Sequence, residues 1–106
     1  MLMDEKSARR KARRLKEKHP DHLPIIIITN IKMEQYKFLP HKDSTLAQLL
    51  SILRGYMVKL KSTQGVIMTV NNTLPSLSTT VGELYKEYAS TDEYLHICLT
   101  VENMFG

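Results

Sequence analysis

The stretch Tyr94-Leu95-His96-Ile97-Cys98-Leu99-Thr100-Val101-Glu102-Asn103-Met104-Phe105-Gly106 decides the reading of this 106-residue chain. From Tyr94 to Val101 it is mostly apolar, carries β-branched residues at intervals and holds no breaker. That pattern predicts a strand buried on at least one face. The chain then turns polar for two residues and reaches an aromatic followed by a bare glycine. Glycine has no Cβ, so a tail of this kind can thread a narrow cleft and offer its carbonyl from either side. A buried strand with such a tail suits a protein whose terminal carboxylate is used in chemistry. A frayed end reads the same in isolation, so the residues upstream have to decide.

Working outward, Thr91-Asp92 marks a turn, and Ser78-Thr79-Thr80 precedes a helix predicted over residues 81–88. Glu83 is placed to complete a capping box from Thr80. Residues 65–70 read as a strand, Asn71-Asn72 as its turn and Thr73-Leu74 as a short return strand. Asp43-Ser44-Thr45 caps a helix whose apolar positions Leu46, Leu49, Leu50, Ile52, Leu53 and Met57 recur at helical spacing, with Gly55 weakening its last turn. Residues 23–29, with four consecutive isoleucines, predict a fully buried strand. Residues 30–35 form the turn after it. Residues 36–40 form a second strand that Pro40 confines to a sheet edge, because proline cannot donate to a central ladder. Residues 7–18 predict a helix with Ala8, Ala12 and Leu15 on one face. Asp4 or Ser7 caps its start, and His19-Pro20 ends it. Its apolar stripe is thin, so it should dock by few contacts and leave its basic face wet.

This order predicts an α+β fold, a ubiquitin-like β-grasp with an added basic N-terminal helix. Residues 1–22 form the helical extension, and residues 23–106 the ubiquitin-like domain with a tail over 101–106. Internal repeats and low-complexity linkers are absent.

The content of 42% hydrophobic and 25% charged residues is that of an ordinary globular domain. The single Cys98 excludes an internal disulfide, fits a reducing compartment and is expected to be a small buried core residue. No apolar run approaches the roughly 18 residues of a membrane span, and no signal-peptide core follows the start. A cytoplasmic location follows as the expectation. Residues 1–18 hold eight Lys/Arg against three acids and the remainder seven against eight, so the net charge of +4 belongs to an appendage. Nucleic acid is the partner such a patch first brings to mind. Arg9, Arg10, Arg13 and Arg14, however, have no interleaved aromatics to stack bases and match no recognition motif. The expectation is therefore no nucleic acid, with microtubule or acidic-lipid contact compatible with the same basic surface. His19, His22, His41 and His96 lack metalloprotease spacing and a cysteine partner pair, and no phosphate loop or strained serine elbow is present. The reading is no metal, no cofactor and no catalytic site, with histidines on the surface or at caps.

Several blocks carry a family resemblance. Val70-Asn71-Asn72-Thr73-Leu74-Pro75, Thr80-Val81-Gly82-Glu83-Leu84-Tyr85, Asp92-Glu93-Tyr94-Leu95 and Phe105-Gly106 resemble the ubiquitin-like autophagy modifiers. That family includes the microtubule-associated protein light chains and the GABA-receptor-associated protein. His19-Pro20-Asp21-His22-Leu23-Pro24 followed by isoleucines resembles the family's His/Tyr-Pro-x-x-Ile/Val-Pro-Val-Ile segment. Lys37-Phe38-Leu39 and Ile52-Leu53-Arg54 fall where the family has Lys-Phe/Tyr-Leu and Ile-Ile-Arg. The resemblance covers residues 7–106.

The resemblance implies a conjugated tag and not an enzyme. A cysteine protease exposes the glycine, an activating enzyme adenylates it, and a conjugating enzyme receives it as a thioester. Gly106 would be the electrophile that ends in amide linkage to phosphatidylethanolamine on the autophagosomal membrane, with Phe105 the aromatic that the processing enzymes grip. Whether Gly106 is encoded last or exposed by proteolysis stays open, as does an adaptor that is never conjugated. Cargo receptors would bring aromatic-x-x-aliphatic peptides to the second strand by strand addition. By position, Leu15, Pro24, Ile26, Lys37, Leu39 and Tyr94 would line the aromatic pocket, and Phe38, Pro40, Leu49, Ile52 and Leu53 the aliphatic one. The alternation of period two puts Lys37 and Leu39 on one side of the strand and Phe38 and Pro40 on the other.

The chain also departs from the family pattern. About six residues precede the helix, so the family's first short helix is expected to be missing or rudimentary. Gly55-Tyr56 replaces a basic run, Pro40 a usual aliphatic and His41 a proline, and Asn103-Met104 is an unusual approach to the glycine.

Overall fold

The structure is a computed structural model and describes residues 5–61 and 64–102. Asp4, Phe105 and Gly106, named above as a cap and as the conjugation residues, lie outside the described residues.

The elements run α1 (Glu5–Lys18), β1 (Ile25–Thr29), β2 (Lys37–Phe38), α2 (Leu46–Arg54), β3 (Gly65–Thr69), α3 (Val81–Tyr88) and β4 (Leu95–Glu102). The strands form one mixed sheet in the order β2-β1-β4-β3. β4 is central, parallel to β1 from Ile25↔Leu95 to Thr29↔Leu99 and antiparallel to β3 from Gly65↔Glu102 to Thr69↔Cys98. β2 pairs with β1 alone, which places it at the edge. This is the α+β grasp arrangement predicted from the element order, with the closing strand at its centre.

One face of the sheet builds the main core. Ile25 and Ile27 of β1 and Leu95, Ile97 and Leu99 of β4 are buried there with Leu46, Leu49 and Leu53 of α2, Met68 of β3, and Val81 and Leu84 of α3. The other face is covered only in part, by α1, through a small cluster of Ala8, Ala12 and Tyr94 against Ile26. This one-sided cover corrects two expectations. The isoleucine run is not buried throughout: Ile26 is half-buried and Ile28 is 48% exposed. Cys98, paired in register with Ile28, is likewise half-buried on the outer face and not a core residue. Alternation along a strand turns each second side chain away from the core, and α1 does not reach that end of the sheet.

Other boundaries also shift. α1 starts at Glu5, so Ser7 lies inside its first turn and is not its cap. β2 is shorter than residues 36–40, yet the pairing reaches both ends, because Ile27 N–H donates to Tyr36 O at 2.7 Å and Leu23 N–H to Pro40 O at 3.0 Å. Proline can take that last place because it is asked only for its carbonyl. The return strand at Thr73-Leu74 reduces to a single bridge, Val70↔Thr73. Asn71 and Asn72 cross it in the left-handed region, at φ 52 and 62, which asparagine tolerates better than most residues. The full reciprocal capping box forms at Thr45 and Gln48 of α2. At α3, Thr80 accepts from Glu83 N–H, 3.2 Å, which is the first half of the box predicted there. α2 ends at Arg54, so Met57 lies beyond it and bridges Met33 of the hairpin.

Candidate functional site

Register decides which backbone groups of β2 are spent. Ile27 with Tyr36, Ile25 with Phe38 and Leu23 with Pro40 are the hydrogen-bonded pairs across β1 and β2. In an antiparallel pair the intervening residues turn their N–H and C=O outward. Lys37 and Leu39 therefore present their backbone groups to the open edge, and a further strand can be added there.

Beside this edge, α1 and the start of β4 form a cleft of about 690 Å³ lined by Lys11, Arg14, Leu15, Glu17, Lys18, Lys37 and Tyr94. A smaller hollow of about 240 Å³ continues from it, lined by Leu15, Gln35, Lys37, Phe38, Leu39 and Tyr94. Lys37 lays its Nζ over the Tyr94 ring, 5.8 Å from the centroid. Its apolar stem can cover the cleft wall while its charge stays at the rim. Tyr94 itself is 2% exposed. Burial first, and the negative charge of Asp92 second, push its phenol above the usual tyrosine range.

The structure thus brings Leu15, Lys37, Leu39 and Tyr94 of the aromatic set to one opening, with Ile26 half-buried behind Tyr94. Pro24 is fully buried. The aliphatic set is arranged differently. Leu49 and Leu53 belong to the core, Phe38 and Pro40 are half-buried, and Ile52 is exposed. Tyr56 packs edge-on against Phe38 with ring centroids 5.1 Å apart. Lys11, Arg14, Glu17 and Lys18 were not singled out for this cleft. Their signal was present all the same, since Lys11, Leu15 and Lys18 are spaced to share one helix face.

The basic helix is held to the domain through one turn, contrary to the expectation of a wholly wet basic face. Arg13 Nε and Lys16 Nζ both donate to the Glu93 carboxylate, at 2.5 and 2.8 Å. Arg9 Nε donates to Thr91 O at 2.9 Å, and the Tyr85 hydroxyl donates to Glu93 O. Glu93 sits at φ 65, a conformation that costs a non-glycine residue about 1–2 kcal/mol and that these bonds offset. Arg10 and Arg14 remain exposed, beside a hollow of about 400 Å³ that Lys6, Arg9, Arg13 and Glu17 also line.

The hydrogen bond from Lys16, reinforced by Arg13, holds the Glu93 carboxyl below the usual carboxylate range. Partial burial draws the Lys16 ammonium down, but its bonds to Glu93 and Tyr85 outweigh this and the net shift is upward. A depressed Glu93 contributes stability above its unfolded pKa and loses it as pH falls through the folded value. A raised Lys16 contributes below its unfolded pKa and loses it as pH rises through the folded value. Docking of α1 is therefore expected to be firmest between about pH 5 and 10. Glu93→Gln should weaken it by no more than about 1 kcal/mol. Hydrogen exchange of the Ala8 and Ala12 amides checks this. Protection that stays flat down to pH 3 would show that the pairing does not hold the helix.

The histidines serve local geometry. His22 and His41 bridge the entry to β1 and the exit from β2, with rings edge-on at 5.2 Å. His96 contacts Asp92 at 2.9 Å. Among the described residues no group of three His, Cys, Asp or Glu side chains could hold a metal ion. No helix among them is long and apolar enough to cross a membrane.

Residues 7–106 match the family model described as autophagy protein Atg8, ubiquitin like. The chain is 31% identical to autophagy-related protein 8e of Arabidopsis thaliana over 111 residues, covering 98% of this chain and 90% of that one. It is 27% identical to autophagy-related protein 8 of Dictyostelium discoideum over 100 residues, covering 90% and 82%. The crystal structure of Trypanosoma brucei ATG8 superposes with a TM-score of 0.87 at 30% identity, over 100% of this chain and 95% of that one. Plasmodium falciparum Atg8, solved with a P. falciparum Atg3 peptide, superposes at 0.79 and 20% identity over 92% and 90%, a likeness of fold.

Proposed function

The chain belongs to the Atg8 family of ubiquitin-like autophagy proteins, and from that premise we propose that it is a tag joined through Gly106 to phosphatidylethanolamine, which then gathers cargo receptors at the autophagosomal membrane. The observation that carries this reading is the open β2 edge, with the outward backbone of Lys37 and Leu39 beside the cleft of Leu15, Lys37 and Tyr94. An extended aromatic-x-x-aliphatic peptide adds there as a further strand. Its aromatic anchor enters the cleft and its aliphatic anchor rests near Phe38, Pro40 and Ile52, over the floor of Leu49 and Leu53. Backbone pairing supplies affinity and the two anchors supply selectivity. The cations at the rim attract acidic residues flanking such peptides.

Conjugation supplies what the fold lacks. The chain performs no catalysis of its own: the protease and the activating and conjugating enzymes act on its tail, where Phe105 is the grip and Gly106 the acyl donor. The amine of phosphatidylethanolamine attacks the thioester carbonyl, the thiol of the conjugating enzyme leaves, and an amide forms. Two acyl chains, at about 0.8 kcal/mol per buried methylene, then hold on the bilayer a protein in which no helix among the described residues is long and apolar enough to cross it. The chain passes in this way from the cytoplasm to the autophagosomal surface.

The test is incubation with the family's activating and conjugating enzymes, ATP and phosphatidylethanolamine liposomes. Wild type should form a thioester and a lipid adduct, and Gly106→Ala should be much poorer in both. A wild-type chain that forms neither is an unconjugated adaptor, and the conjugation half of the proposal is then wrong.

A further inference from the structure

The open edge is not bare. Gln35 folds its side chain along the strand so that Nε2 donates to Lys37 O at 2.5 Å. Lys37 O is one of the outward carbonyls left unpaired by β1, as the register Ile26↔Lys37 and the flanking bonds at Tyr36 and Pro40 require. A strand added to β2 needs that same carbonyl for one of its own N–H groups. The Gln35 side chain also lines the small hollow between Leu39 and Tyr94. The turn that carries it is anchored from the other side. Met33 N–H donates to the Tyr36 hydroxyl at 3.1 Å, and Glu34 N–H and Val58 N–H donate to Tyr56 O and Lys32 O, each at 2.8 Å.

We propose that Gln35 is a built-in cap on the docking edge, a stand-in for the first backbone donor of an incoming peptide, which must displace it to bind. The inference rests on the reading of β2 as the peptide-docking strand and adds a residue that sets its threshold. The amide satisfies a carbonyl that would otherwise invite pairing with any extended chain, which is the hazard of an uncovered edge. Only a ligand that also fills the neighbouring cleft recovers more than it displaces. Gln35 therefore raises the affinity threshold for every extended ligand, so that peptides lacking a proper aromatic anchor fall below it first.

The experiment compares wild type with Gln35→Ala and with Gln35→Met, which keeps the length but has no N–H to donate. The probes are an aromatic-x-x-aliphatic peptide and the same peptide with its aromatic replaced by alanine. Calorimetry should show both variants binding the full peptide about two- to tenfold more tightly than wild type, the fold-change of one ordinary net hydrogen bond. The alanine peptide should gain by a similar or larger factor. If only Gln35→Ala gains, bulk and not the hydrogen bond is responsible, and the cap is overturned; equal affinities for all three proteins overturn it too. The free protein supplies an independent readout. A through-bond nitrogen–carbonyl coupling between Gln35 Nε2 and Lys37 C′ should be seen by NMR, and free rotation of that amide excludes the cap. Failure of every protein to bind either peptide, with the coupling present, instead removes the docking reading and leaves Gln35 as edge protection alone, which refutes its role as a threshold.

Discussion

Ile97→Ala should remove about 3 kcal/mol of folding stability, a large share of the roughly 5–15 kcal/mol that a domain holds in total. Ile97 is 0% exposed at the middle of the central strand and pairs across the parallel ladder with Ile27. It belongs to the same buried cluster as Leu49 and Leu53 of α2 and Val81 and Leu84 of α3. Truncation leaves a void that a sheet held by strands on both sides cannot close, so the cavity adds to the lost transfer energy. The control is its neighbour. Cys98→Ser, on the half-covered outer face, should cost well under about 1 kcal/mol. Urea unfolding of the two variants checks the contrast, and equal losses would mean that the two faces of β4 are not packed as described.

Tyr94→Ala should be almost as costly, at about 3 kcal/mol, and should also detach α1. The ring carries most of the second cluster, since Ala8 and Ala12 offer little more than room for it and Ile26 only borders it. It also walls the cleft and lies beneath Lys37 Nζ. Removing it takes away the floor on which the helix depends and on which the proposed aromatic anchor would rest. Tyr94→Phe keeps that floor and should retain both stability and peptide binding to within a factor of a few. The same substitution should abolish the alkaline loss of stability that comes from the raised Tyr94 pKa. Proteolysis within α1, followed over time, gives the readout. Tyr94→Ala with an intact, protected helix would show that the ion pairs at Glu93, and not the ring, hold α1.

The elements of the fold were readable because their signals are local. Four isoleucines, a helical apolar repeat after Asp43-Ser44-Thr45 and a threonine before Val81 each reflect propensities that act over a few residues. Pro40 placed β2 at an edge for the same kind of reason, since a missing N–H is a property of one residue. Cys98 and Ile28 were misread because burial depends on what covers a face, and α1 comes from the far end of the chain. The Glu93 clamp escaped notice because its partners, Arg13 and Lys16, are some eighty residues away. Nothing near Asp92-Glu93 says that a basic helix will lie across it.

By itself the sequence determined the element order of a grasp-like domain with a basic helix ahead of it, because backbone preference and side-chain period are written residue by residue, while the Atg8 family was carried by its motif blocks. Only the tertiary structure decided which isoleucines face water, which arginines are tied down, and that a glutamine occupies the carbonyl an incoming strand would use. Those outcomes turn on distances between segments remote in the chain and, for the isoleucines and the Lys37 carbonyl, on a register that a shift of one residue would reverse.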